Sequence, residues 1–131
     1  MGPYTPGAWT YLLRGLHWAK KHGINVILDI HGAPGSQNGY DNSGQRTTNP
    51  VWAVNPANVT RTIDTLRFIV QNTNGMVDVI ELLNEPAGFL GPAWVQTIGQ
   101  FWLDGYDAVR QAAGAGINVM IGDAFLGVQA C

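Results

Sequence analysis

The sequence predicts an α/β chain, a segment of a (β/α)8 TIM barrel with about three strands and three helices. Three observations carry this. Helical and strand-like stretches alternate along the chain, as in a parallel sheet built from βα units. The strand-like stretches are short and almost continuously apolar, the pattern of parallel strands covered on both faces. Polar residues gather just after each of them, at the sheet edge where barrels and open α/β sheets build their sites. A closed barrel takes about 250 residues. With 131 residues, a helix first and a strand last, the chain is expected to be an interior slice.

The first helix is expected from Pro6 to His22. Trp9, Leu12, Leu13, Leu16 and Ala19 recur at helical spacing, Gly23 is the stop, and Thr5 is a candidate cap with Pro6 in the first turn. Residues 24–31, Ile-Asn-Val-Ile-Leu-Asp-Ile-His, form the first strand. Gly32 to Asn55 is rich in Gly, Asn, Ser, Thr and Pro, and a loop of that length is usually functional or disordered. The second helix runs from Asn55-Pro56 to about Gln71, with Val59, Ile63, Leu66 and Val70 on its buried face. Met76 to Leu83 is the second strand. Trp94 to Ala113 is the third helix, and Asn118 to Ile121 the third strand, followed by Asp123.

Hydrophobic residues are 46% and charged residues 12% of the chain, so much of it should be buried. The formal net charge is −2 and no basic cluster exceeds Lys20-Lys21, which argues against nucleic acid or a charged membrane surface as partner. No apolar run reaches the length of a membrane span. Met1-Gly2-Pro3-Tyr4 lacks a basic region followed by an apolar run, so no signal peptide is expected. The single cysteine, Cys131, cannot form an internal disulfide and leaves the redox compartment open. Neither a cofactor nor a metal is expected.

The strongest chemical signal is Asn84-Glu85-Pro86 at a strand end. A carboxyl that protonates a leaving oxygen needs a fixed direction and a suitable environment. Asn84 can hydrogen-bond a sugar hydroxyl or orient the carboxylate. Pro86 is expected to end the strand and force Glu85 into an extended conformation. The same tripeptide would also suit a strand terminator followed by a solvated glutamate. Asp29 and His31 are two apart and share a strand face. With Glu85 and Asp123 they could line one mouth, or His31 and Asp29 could be satisfied interior residues. The loop Gly32 to Gly44 carries amides, hydroxyls, a carboxylate and one ring, groups that suit neutral polyhydroxylated ligands and equally an ordinary turn-rich loop. Glu81 and Glu85 fall on one strand face. Residues four apart lie roughly 13 Å apart along a strand, too far for the about 5 Å of a retaining carboxylate pair. Glu81 therefore reads as a structural, hydrogen-bonded interior residue. Trp52 and Trp94 are candidate stacking platforms, core packing being the better account of Trp94.

Together these residues resemble glycoside hydrolase family 5, specifically the fungal exo-β-1,3-glucanases (glucan 1,3-β-glucosidases). The resemblance rests on residues 30–44, Ile-His-Gly-Ala-Pro-Gly-Ser-Gln-Asn-Gly-Tyr-Asp-Asn-Ser-Gly, and on residues 80–86, Ile-Glu-Leu-Leu-Asn-Glu-Pro. Phe101-Trp102-Leu103-Asp104-Gly105-Tyr106 and Asp123-Ala124-Phe125 complete it. It covers nearly the whole chain, so residues 1–131 would be a partial catalytic domain. It implies a retaining hydrolase of β-1,3-glucan with Glu85 as acid/base. Asn84 would contact the sugar beside the scissile bond, and His31 the terminal glucose. Tyr40, Asp41 and Asn42 match the stretch lining the sugar cleft, with Tyr40 as an aromatic platform. It further implies β-1,3-glucan or its oligosaccharides as partner and a secreted or cell-wall location. The family's nucleophile is a second glutamate on a later strand, and no position here matches it. The chain alone is therefore expected to be inactive.

Two other readings stand beside this one. A non-catalytic glucan-binding remnant would keep the Tyr40 loop and lose hydrolysis. A metal-dependent hydrolase would use Asp29, His31 and Asp123, but zinc prefers histidine and cysteine ligands. Only one histidine lies at a strand end; His17 and His22 sit on or just after a helix.

Overall fold

Helix and strand alternate through the chain in a computed structural model that describes residues 6–127. The order is α1 (Ala8–Lys21), β1 (Ile27–Asp29), α2 (Pro56–Asn72), β2 (Val79–Glu81), α3 (Pro92–Ala113) and β3 (Asn118–Met120). Two single-turn 3-10 helices, Asp41–Ser43 and Gly88–Leu90, sit in the segments after β1 and β2. The strands form one parallel sheet in chain order, with Ile27, Val79 and Asn118 level at one end and Asp29, Glu81 and Met120 at the other. This is the expected α/β barrel segment. Its register puts Asp29 and Glu81 side by side at the carboxyl edge.

The helices follow from local signals. Asn55 caps α2, its side chain accepting the Ala57 N–H at 3.1 Å, and Pro56 stands in the first turn, where its missing N–H costs nothing. Gly7, in a left-handed conformation without a side-chain cap, precedes α1. Thr5, the expected cap, lies outside the described residues, as do Met1–Tyr4 and Cys131. The strands are shorter than their apolar runs. Just before β1 the chain is fastened differently: the Asp78 carboxylate accepts the Val26 N–H at 2.8 Å, while Val26 O accepts from the N–H groups of Asp78 and Val79. Lys20 of α1 joins Asp78 at 3.3 Å. Donation from Val26 N–H, helped by Lys20, holds the Asp78 carboxyl below the usual aspartate range against the opposing effect of burial.

The core lies where α2 and α3 pack on the sheet. Leu66, Phe101, Val109, Ile80, Leu82 and Leu83 are fully buried there. Gly105 lets α3 come close: a Cβ at this position would stand 3.1 Å from Leu82 and 3.4 Å from Leu66. Trp52, from the long segment after β1, also enters this core with no exposed surface. It stacks edge-on against Phe101 at 5.1 Å and donates from Nε1 to Thr62 Oγ1 at 3.1 Å. The expectation that Trp52 is a stacking platform is thereby corrected, because no sugar can reach it. Trp94 is buried beside it, as expected. None of the described helices is long and apolar enough to cross a membrane.

Candidate functional site

The carboxyl ends of the three strands bring together Asp29 and His31, then Glu81, Asn84 and Glu85, then Gly122 and Asp123. A small cleft of about 80 Å³ is lined by the last five of these and by Ala124 and Phe125. His31 Nδ1 lies 2.7 Å from Asp29 Oδ2. Asp29 is the deeper member, its side chain 32% exposed against 61% for His31. β1 ends at Asp29, so the contact itself and not strand alternation sets His31 beside Asp29. Glu81 stands beside Asp29 with no side-chain hydrogen bond among the described residues. Burial, then the charges of Asp29 and Glu85, push its carboxyl above the usual glutamate range, with His31 opposing. Partly buried and lining the cleft, Glu81 is not the hydrogen-bonded interior residue expected.

Glu85 departs from the sequence expectation. Its φ is +48°, in the left-handed region, not extended. A non-glycine residue there costs on the order of 1–3 kcal/mol and persists only where its surroundings hold it. The holders come from the segment after β1. Gln37, fully buried, donates from Nε2 to Asn84 O at 2.9 Å and accepts the Ala87 N–H on its own carbonyl at 3.0 Å. Asn38 donates from Nδ2 to Glu85 O at 3.0 Å. Buried Pro86 and Ala87 complete the turn. These contacts outweigh the extended preference that a following proline imposes. Because β2 ends at Glu81, strand alternation does not reach Glu85, and the idea that both glutamates share one strand face does not hold.

At the turn's tip the Glu85 side chain is exposed, and its Oε2 accepts from Asn42 Nδ2 at 2.6 Å. Asn84 lies with its Nδ2 buried and without a partner among the described residues, a polar atom that calls for one. Asn42 belongs to a segment built to hold its shape: Ser36 and Ser43 bond through their hydroxyls at 2.7 Å, and the Thr47 N–H reaches Gly39 O at 3.0 Å. Gly32 is required here, since a Cβ on it would collide with Ser43 O. Asp41 is exposed and accepts the Asn42 N–H at 3.1 Å. Tyr40, half-exposed, faces Phe89 with ring centroids 6.3 Å apart, and Phe89 faces Phe125 at 5.6 Å.

The structure thus gathers Glu85, Asn84 and Asn42 at one point and sets His31 on the neighbouring strand end. Gln37 links the two ends through His31 O and Asn84 O. Tyr40 joins an aromatic row, while Asp41 bonds only within its own turn among the described residues. Gln37 and Asn38 went unmarked as organising residues in the sequence, where an amide between glycines reads as turn chemistry. Phe89 lacked a periodic context. Among the described residues no three His, Cys, Asp or Glu side chains converge as a metal site, so Asp29, His31 and Asp123 do not assemble as metal chemistry would need.

No protein-family model matches the chain. It is 42% identical over 126 residues to the glucan 1,3-beta-glucosidase of Blumeria graminis, covering 95% of this chain and 28% of that protein. It is also 42% identical over 128 residues to glucan 1,3-beta-glucosidase 2 of Wickerhamomyces anomalus, covering 94% and 29%. The probable glucan 1,3-beta-glucosidase A of Aspergillus fumigatus is 35% identical over 130 residues, covering 97% and 30%. The chain spans less than a third of the length of these relatives. In fold it superposes on AoRut with a TM-score of 0.82 at 22% identity, covering 97% of this chain and 39% of that one. The rutinosidase from Aspergillus niger gives 0.81 at 19%, covering 97% and 40%. Sequence and fold agree along almost the whole chain: it is similar throughout to a stretch of the glucan 1,3-beta-glucosidases, and its fold is that of a TIM-barrel segment.

Proposed function

We propose that residues 1–131 carry the acid/base part of a retaining glycoside hydrolase, family 5 in type, acting on β-1,3-glucan. The observation that carries the reading is the Glu85 carboxyl at the mouth, one oxygen held by Asn42 and the backbone locked from below, beside the unpartnered Asn84 amide. A held carboxyl with one free oxygen can give a proton along a defined line to the glycosidic oxygen as its bond to the anomeric carbon breaks. In this scheme a second carboxylate, outside these 131 residues, takes the anomeric carbon as a glycosyl ester. Glu85, now ionised, then takes a proton from the water that releases the sugar. Asn84 donates its free N–H to a hydroxyl of the sugar beside the scissile bond. His31, steadied by Asp29, meets the terminal glucose, and Tyr40, Asp41 and Asn42 line the cleft. The names of the relatives support β-1,3-glucan as substrate. On the same reading the protein works secreted or in the cell wall.

The half-exposed row Tyr40, Phe89 and Phe125 also favours a second reading, a glucan-binding segment without hydrolysis. One experiment separates the two. In the whole protein carrying these residues, Glu85→Gln should lower laminarin hydrolysis about 10²–10⁴-fold. Azide should restore turnover of activated aryl glucosides, since a small anion needs no general base. Near-normal laminarin hydrolysis by the variant removes Glu85 from the acid/base role. Laminarin binding without any hydrolysis by the unaltered protein selects the second reading.

A further inference from the structure

We infer that Asn38 is a positioning residue for the proton donor, fixing Glu85 at both its main chain and its carboxylate from a single buried amide. The inference rests on the acid/base reading of Glu85. Asn38 is 4% exposed, and both ends of its side-chain amide are engaged. Nδ2 donates to Glu85 O at 3.0 Å and to Asn42 Oδ1 at 3.4 Å, while Oδ1 accepts the Tyr40 N–H at 2.9 Å. The contact with Asn42 decides which way the Asn42 amide turns. With its Oδ1 toward Asn38, its Nδ2 meets Glu85 Oε2 at 2.6 Å. The flipped amide would set two NH2 groups against each other at Asn38 and two acceptor oxygens against each other at Glu85. Asn38 therefore works along two routes that end on the same residue.

The left-handed backbone of Glu85 makes the main-chain route necessary, because that conformation needs an outside hold. Two buried amides provide it, with different reach. Gln37 also serves His31 O and the Ala33 N–H, so it braces two strand ends at once. Among the described residues Asn38 serves only Glu85 and its own loop, through Tyr40 and Asn42. Losing Asn38 should therefore act on proton donation and leave His31, just past β1, in place.

Leaving-group dependence tests this. In the whole protein carrying these residues, Asn38→Ala and Asn38→Asp are compared with Glu85→Gln on two β-glucosides. One releases an alkyl alcohol and the other dinitrophenol, with azide present so that breakdown of the intermediate needs no base. Asn38→Ala should lower kcat for the alkyl glucoside about 10–100-fold, the scale of a small misplacement of a reacting group. KM is read on Asn38→Asp, which keeps the acceptor for the Tyr40 N–H, and should stay within about 2-fold there; Asn38→Ala also releases Tyr40 of the cleft. The dinitrophenyl glucoside should stay within about 3-fold, since its leaving group departs without a proton. Asn38→Asp keeps the acceptor for Tyr40 and loses the donor, and should show the same split. Equal losses on both glucosides, or none, overturn the inference, as does failure of both variants to fold, which would make Asn38 a general structural residue. A split in Glu85→Gln without one in the Asn38 variants rejects this inference alone. No split in Glu85→Gln rejects the acid/base reading itself.

Discussion

Glu81 shows how a single carboxyl records its surroundings. Burial raises it first, and the charges of Asp29 and Glu85 add to that against His31. The folded state therefore holds its proton more tightly than the unfolded chain does. A group raised in this way contributes stability that is fully present below its ordinary value, here 4.5. That contribution is lost as pH rises through the higher folded value. Glu81→Gln should flatten the fall in stability just above pH 4.5, as read by denaturant unfolding of the whole protein over a pH series. An unchanged slope would mean that burial at Glu81 is relieved by water. At this scale the nearness of Asp29 and His31 was readable from sequence, because they are only two residues apart; they pair although β1 already ends at Asp29. The left-handed Glu85 was not readable, because its holder Asn38 lies 47 residues earlier and no local rule reaches that far.

The helices answer to their sequence more closely than the strands do. Periodic apolar residues mark a helix along its own length, and Leu66 or Phe101 falls on the buried face accordingly. A strand exists only where a partner bonds to it, so the apolar run 24–31 overshoots the ladder, which spans 27–29. The long segment after β1 hid another role: it inserts Trp52 between α2 and α3. Trp52→Ala should cost about 3–5 kcal/mol, as large-to-small changes of buried aromatic side chains do. Trp52→Phe keeps much of the volume but leaves Thr62 Oγ1 without its donor, and should cost about 1–3 kcal/mol. Denaturant midpoints of the whole protein check both. Equal costs would place the effect in the bond to Thr62 and not in packing.

At the scale of the molecule, the sheet has two outer edges, on β1 and β3, among the described residues. Ile24 and Ile27 are more than half exposed on or beside the first strand. On the far side an apolar groove of about 470 Å³ runs between α3 and residues 121–126, lined by Val95, Ile98, Trp102, Leu103, Ile121 and Leu126. Open strand edges beside exposed apolar surface pair readily with other chains. The 131 residues expressed alone should therefore self-associate, as read by analytical ultracentrifugation. A monodisperse monomer with a cooperative thermal transition would refute this. The barrel class itself was legible, since strand order, parallel pairing and polar strand ends all follow from the alternation of elements.

Gln37 gives the mouth a place in the order of folding. Its bonds join His31 O to Asn84 O and Ala87 N, groups about 50 residues apart along the chain. Closing so wide a loop loses chain entropy that a few amide contacts do not recover alone. The closure becomes favourable once β1 and β2 already lie side by side. The turn at Glu85 therefore cannot form as a local nucleus. It is completed only after the two strands have paired, and a nascent chain that has emerged no further than β1 holds none of the geometry that Glu85 needs.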